Sequence, residues 1–134
     1  MDAFKVESVQ IKAAFDKAFG FIAAPENLPK WTHAFKSVRD GTAVMATPAG
    51  RVEVGLKVNS SRDQGTIDWR MRFPDGSEAA AYSRLVQELP EACIYSFILL
   101  APPVPLAQLE GVFDQQVEIL REELKKLKET LDRT

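Results

Sequence analysis

The chain holds one histidine, His33, and one cysteine, Cys93, in 134 residues, which bounds the chemistry open to it. Imidazole exchanges protons near neutral pH, so His33 is the candidate general acid or base. It lies two residues past Trp31 in a stretch that reads as loop, and no second titratable group accompanies it at an evident catalytic spacing. It reads first as a hydrogen-bonded loop residue and second as an acid-base group at a pocket mouth. A zinc site needs three or four nitrogen, sulfur or carboxylate ligands, so one histidine and one distant cysteine predict no metal. There is no phosphate-cradling glycine loop, no dinucleotide fingerprint and no serine in a nucleophile elbow, and no cofactor is expected. Cys93 sits inside the apolar run CIYSFILLA. A single cysteine excludes an intrachain disulfide and suits a reducing, cytoplasmic setting.

The aromatic residues are the other candidates. Phe21 to Trp31 reads FIAAPENLPKW: an apolar helical pattern that meets Pro25, then Pro29, then Trp31. Each proline disfavours the helical state of the residue before it, so the segment must break between two helices. Trp31 is too large and apolar for solvent, and reads as core or as the wall of a cavity. Trp69 shares its strand parity with Ile67, Met71 and Phe73, so it is expected on the covered face of a sheet, with Arg70 and Arg72 in solvent.

Elements to position these groups follow from periodicity. Asp40-Gly41, Pro48-Ala49-Gly50, Ser60 to Gly65, Pro74-Asp75-Gly76 and Pro90-Glu91 are turn signals. They separate expected strands at Phe35–Arg39, Thr42–Thr47, Arg51–Asn59, Thr66–Phe73, Ser77–Glu88 and Ala92–Ala101. In Arg51–Asn59, Val52, Val54, Leu56 and Val58 oppose Glu53, Gly55 and Lys57, so Glu53 reads as exposed. With Phe4–Gln10 there are about seven strands, mostly antiparallel because their connections are short. One helix is expected from near Lys12 to the residue before Pro25, and a single turn over Glu26–Trp31. A long helix over Pro105–Asp132 carries Leu106, Leu109, Phe113, Val117, Leu120, Leu124, Leu127 and Leu131 at spacings of threes and fours. At about 1.5 Å per residue it reaches roughly 40 Å, enough to cross a sheet. Its tail, REELKKLKETLDRT, reads mostly as a solvated face. Packing on the sheet is the first reading of the apolar stripe and a dimeric coiled coil the second. Pro102-Pro103-Val104-Pro105 stiffens the approach to this helix.

Composition narrows the classes. The chain is 46% hydrophobic and 27% charged with net charge −2, as expected of one ordinary globular domain over residues 1–134. Lysines and arginines are scattered and the pI is near 5.5, which argues against nucleic acid. The start MDAFKVES has neither a basic segment nor an apolar run, so no signal peptide or membrane insertion is expected.

The order strand, two short helices, six strands, long helix resembles the α+β helix-grip fold of the START/Bet v 1-like superfamily, the SRPBCC or polyketide cyclase/dehydrase group. The residues that carry the resemblance are AAFDKAFGFIAAPENLPKW, the hairpin TPAGRVEVGLKV and the terminal EGVFDQQVEILREELKKLKETL. Ala24 departs from it, standing where an acidic residue is common. The resemblance implies a curved sheet gripping the long helix, with a cavity for an apolar small molecule between them. On that basis Trp31, Phe35, Leu56, Trp69, Met71, Tyr82, Phe97, Phe113 and Val117 are the expected ligand-binding residues. The alanines of Glu78-Ala79-Ala80-Ala81 either leave room for a ligand or admit a close helix. The implied function is binding or presentation of a lipid, quinone or polyketide. A cyclase or dehydratase is the alternative, using His33 with Tyr82, Arg84 or Tyr95, whose facing parity leaves open. A co-chaperone-like interaction module is the third. A monomer or a homodimer is compatible with all three.

Overall fold

The computed structural model describes residues 4–47, 50–101 and 106–132, with backbone alone at 47 and 106–112. Pro102 to Pro105 lies outside the described residues, as do the side chains of Leu106 and Leu109. The elements are β1 (Phe4–Ile11), α1 (Phe15–Ala23), a 3-10 turn (Pro25–Asn27), α2 (Leu28–Trp31), β2 (Phe35–Arg39), β3 (Thr42–Thr47), β4 (Gly50–Ser61), β5 (Thr66–Arg72), β6 (Glu78–Leu89), β7 (Ala92–Leu100) and α3 (Leu106–Asp132). The prolines act as expected, since both stand at the first turn of the short helical pieces that follow α1. The first helix begins at Phe15 rather than near Lys12. Ala14 is extended, and the Lys12 amide donates to Asp132 Oδ1 at 2.6 Å instead of entering a helix.

The seven strands form one antiparallel sheet in the order β1-β7-β6-β5-β4-β3-β2, leaving β1 and β2 at its edges. Asp40 and Gly41, at φ 52° and 78°, close the β2–β3 hairpin with the left-handed pair its tight turn needs. The β4–β5 connection depends on Gly65 at φ 73°. Its amide donates to the Ser61 carbonyl and its carbonyl accepts from the Leu85 amide, both at 2.7 Å. A Cβ there would stand 2.1 Å from the Leu85 carbonyl oxygen, so only glycine lets β6 close on this turn.

Register then decides which side chains are covered. Met71 pairs with Ala79, Trp69 with Ala81 and Ile67 with Ser83, while Ser83 pairs with Phe97 and Leu85 with Tyr95. These residues share the concave face. Ile11, Val54, Ile67, Leu85, Cys93 and Tyr95 of the strands, with Ile22, Trp31 and Leu127 of the helices, are the most deeply buried large side chains of the core. Arg70, Arg72 and Glu53 stand in solvent as expected. Burial raises the Cys93 thiol pKa above its ordinary value, and its Sγ lies 3.4 Å from the Ala13 carbonyl.

The carboxy-terminal half of α3 is anchored to the sheet edge. Leu120, Leu124, Leu127 and Leu131 are buried in the core. Arg121 bonds Glu7 of β1 at 2.9 Å, and Lys128 Nζ donates to the Gln10 carbonyl and to Asp132, both at 2.8 Å. Asp132 thus receives Lys128 and the Lys12 amide together. Desolvation pushes its carboxyl up, but these hydrogen bonds and the lysine charges outweigh it, and its pKa lies below the ordinary value.

Two outcomes are expected. Gly65→Ala loses about 3 kcal/mol or more, lowering Tm by roughly 10 °C, because both the backbone angle and the carbonyl contact are refused; a thermal melt within 2–3 °C of wild type, by the same scaling, contradicts this reading. Asp132→Asn lowers Tm by roughly 4 °C at neutral pH, for a loss of about 1 kcal/mol. A depressed carboxyl stabilises above its unfolded pKa and loses that contribution as pH falls through its folded pKa. The gap between the two melts should therefore close in acid, below about pH 3.9, in circular dichroism melts across that range.

Candidate functional site

Helix α3 rests chiefly on β1 and α2 rather than on the central strands. Between it and the concave face of β5–β7 a cavity of about 770 Å3 remains. Trp69, Met71, Ala79, Ala81, Phe97 and Leu99 line the sheet side. On α3 the lining is Gln115, Gln116, Ile119, Leu120 and Glu123, spaced as one face of a helix. Leu28 and Trp31 of α2 with Phe35 and Met45 of the β2–β3 hairpin close one end. The alanines of β6 border open space, and so resolve the choice between a cavity and a closely packed helix. With methyl groups opposite Met71 and Trp69, little of the volume is filled from β6.

The polar residues of the wall are Thr32, Ser77, Glu78, Gln115, Gln116 and Glu123, and further polar groups are buried in the core behind it. Trp31 and Trp69 are 2% and 4% exposed, and the Nε1–H of each is buried without a hydrogen-bond partner. The Tyr95 hydroxyl sits beside Ser83 and the Trp69 indole, yet it too lacks a partner at good geometry. Ser83 Oγ is directed to the Ile67 carbonyl at 2.6 Å, which explains why it does not satisfy the phenol. Full burial drives the Tyr95 pKa far above its ordinary value, so this group stays protonated and offers a donor. Glu123 is the carboxylate on the helix side. Its Oε2 accepts the His33 amide at 2.8 Å, and burial pushes its pKa up against the effect of that bond.

Of the residues expected at a ligand, the structure places Trp31, Phe35, Trp69, Met71 and Phe97 around this cavity. Leu56 is inward-facing but borders a different hollow of about 530 Å3, between β4 and the turn at Pro25. Phe113 and Val117 pack in a small cluster with Leu99 and Ala101 beside the cavity rather than lining it. Tyr82 is corrected to the outer face, where it pairs with Asp68 and Ile98; Ala81 and Ser83 on either side take the inward positions. Arg84 shares that outer face, its Nε donating to the Gln64 carbonyl at 3.3 Å. The His33 side chain is 44% exposed, with Nε2 4.0 Å from the surface carboxylate of Glu122, and only its backbone reaches a lining residue. His33, Tyr82 and Arg84 therefore do not assemble into an acid-base group. Sequence reasoning missed Glu123 by assigning REEL to a solvated face. The signal was its position one turn from Ile119 and Leu127, at the border of the apolar stripe.

Among the described residues no three His, Cys, Asp or Glu side chains gather to hold a metal ion. No helix among them is long and apolar enough to cross a membrane.

No protein-family model and no curated protein matches the sequence. Solved structures do match. A START superfamily protein from Mycobacterium smegmatis aligns over 96% of this chain and 98% of its own, with 14% identity and a TM-score of 0.65. A conserved protein from Geobacillus kaustophilus aligns over 97% and 95%, with 13% identity and a TM-score of 0.70. The di-domain ARO/CYC BexL, from the BE-7585A biosynthetic pathway, matches 96% of this chain at 14% identity and a TM-score of 0.70, but the match covers 46% of BexL, about one of its two domains. A seven-stranded antiparallel sheet closed by a long carboxy-terminal helix, aligned over nearly the whole chain with such structures, gives this chain the α+β helix-grip fold, similar to that of the START superfamily protein.

Proposed function

We propose that the protein binds a hydrophobic small molecule of the lipid, quinone or polyketide type between the sheet and α3. The observation that carries this is a mostly apolar cavity of about 770 Å3 walled by Trp31, Trp69, Met71, Phe97 and the small residues of β6. Burial of apolar ligand surface supplies the affinity, at about 25 cal/mol per Å2, and the polar atoms set orientation. Likeness to a START protein and to one domain of BexL agrees with this reading at the level of fold. A cyclase-type enzyme is less favoured, because His33, Tyr82 and Arg84 all stand off the cavity.

N-phenyl-1-naphthylamine, a neutral apolar dye, should brighten on binding and quench Trp31 and Trp69. Ala81→Leu, which fills space opposite Trp69, should weaken that binding roughly tenfold while leaving the melt near wild type. Dye binding that Ala81→Leu does not change would place the dye elsewhere and overturn the assignment of this cavity.

A second reading, self-association, is favoured by the outer face at the β1 edge. Phe4 and Val6 are 53% and 50% exposed there, beside Leu100 at 40%. A dimer in sedimentation velocity that Val6→Lys converts to monomer is the expected outcome; a monomer at all concentrations rejects it.

A further inference from the structure

The cavity's polar residues are uneven in charge. Among the described residues its lining contains no lysine or arginine, and the acid that faces inward is Glu123. The cations nearest along β5, Arg70 and Arg72, take the outward parity. Residues 102–112, ahead of the lining face of α3, carry one charged residue, Glu110, which is also an acid. Glu78 borders the opening from the start of β6, and Glu122 lies next to Glu123 on the exposed side. The groups set around Glu123 are therefore Glu122 and the amide and ring of His33, whose amide occupies one carboxylate oxygen.

A half-buried carboxylate whose only nearby cationisable group is the partly exposed His33 ring destabilises any second anion brought beside it. The same site gains when a cation arrives, because a charge-assisted hydrogen bond then replaces lost solvation. Gln115 and Gln116 extend this polar strip along α3, and Thr32, Ser77 and Glu78 are the other polar residues of a mostly apolar wall. We propose that the cavity selects amine-bearing or neutral apolar molecules over carboxylate or phosphate amphiphiles, with an ammonium group seated against Glu123. This specifies the ligand class within the binding reading above and rests on it. Burial raises the Glu123 pKa, with Glu122 adding to the rise and His33 opposing it.

Decylamine, decanol and decanoate have the same chain length and differ at the head group. Titrated at neutral pH and followed by Trp31 and Trp69 fluorescence, decylamine should bind roughly tenfold more tightly than decanol, and decanoate roughly tenfold more weakly. Glu123→Gln keeps an oxygen for the His33 amide and should bring all three within about threefold of one another. Glu122→Gln, which alters a charge in solvent, should leave the ranking as in wild type. Decanoate binding as well as decanol, or a wild-type ranking in Glu123→Gln, overturns the inference while the cavity remains a binding site. If decanol itself does not bind, the binding reading fails and the inference falls with it.

Discussion

The way α3 is held over one edge of the sheet is the constraint on which the rest of the structure depends. Lys128 and Asp132 tie its end to the β1–α1 connection, Arg121 reaches Glu7, and the leucines between them fill the core beneath. Individually such surface contacts contribute little. Together with four buried leucines they set the height and path of the helix. The concave face of β5–β7 is then covered without being filled, and the unfilled volume is the cavity.

Packing and chemistry meet in the small residues of β6. A strand reading leucine or valine where Ala79 and Ala81 stand would close the space by filling it. The alanines leave Trp69 and Met71 with an open side. Among the described residues, three buried side-chain polar atoms lack partners, in a core where nearly all such groups are satisfied.

Much of this was legible in advance. The seven strands and three helical segments follow from alternation, turn residues and the two prolines, and the structure moves their ends by only a few residues. The inward parity of Trp69 and Met71 was equally readable, because charged residues alternate with them cleanly in β5. In β6 no such contrast exists: Ala80 and Tyr82 are no more polar than Ala79 and Ala81, so the facing of Tyr82 waited on the pairing register. Glu123 was misread for a related reason. A carboxylate beside an apolar stripe reads as solvated until the opposing wall is known.

The sequence by itself determined the order of elements, the break at Pro25 and Pro29, the burial of the two tryptophans and the scarcity of catalytic groups. Each of these depends on local backbone preference or on residue type, and both are written along the chain. Tertiary structure alone decided that α3 stands clear of β5 and β6, that Tyr82 and Arg84 face outward, and that Glu123 turns toward an apolar space. Those outcomes depend on register and on helix placement, which arise from contacts between residues as distant as Lys12 and Asp132.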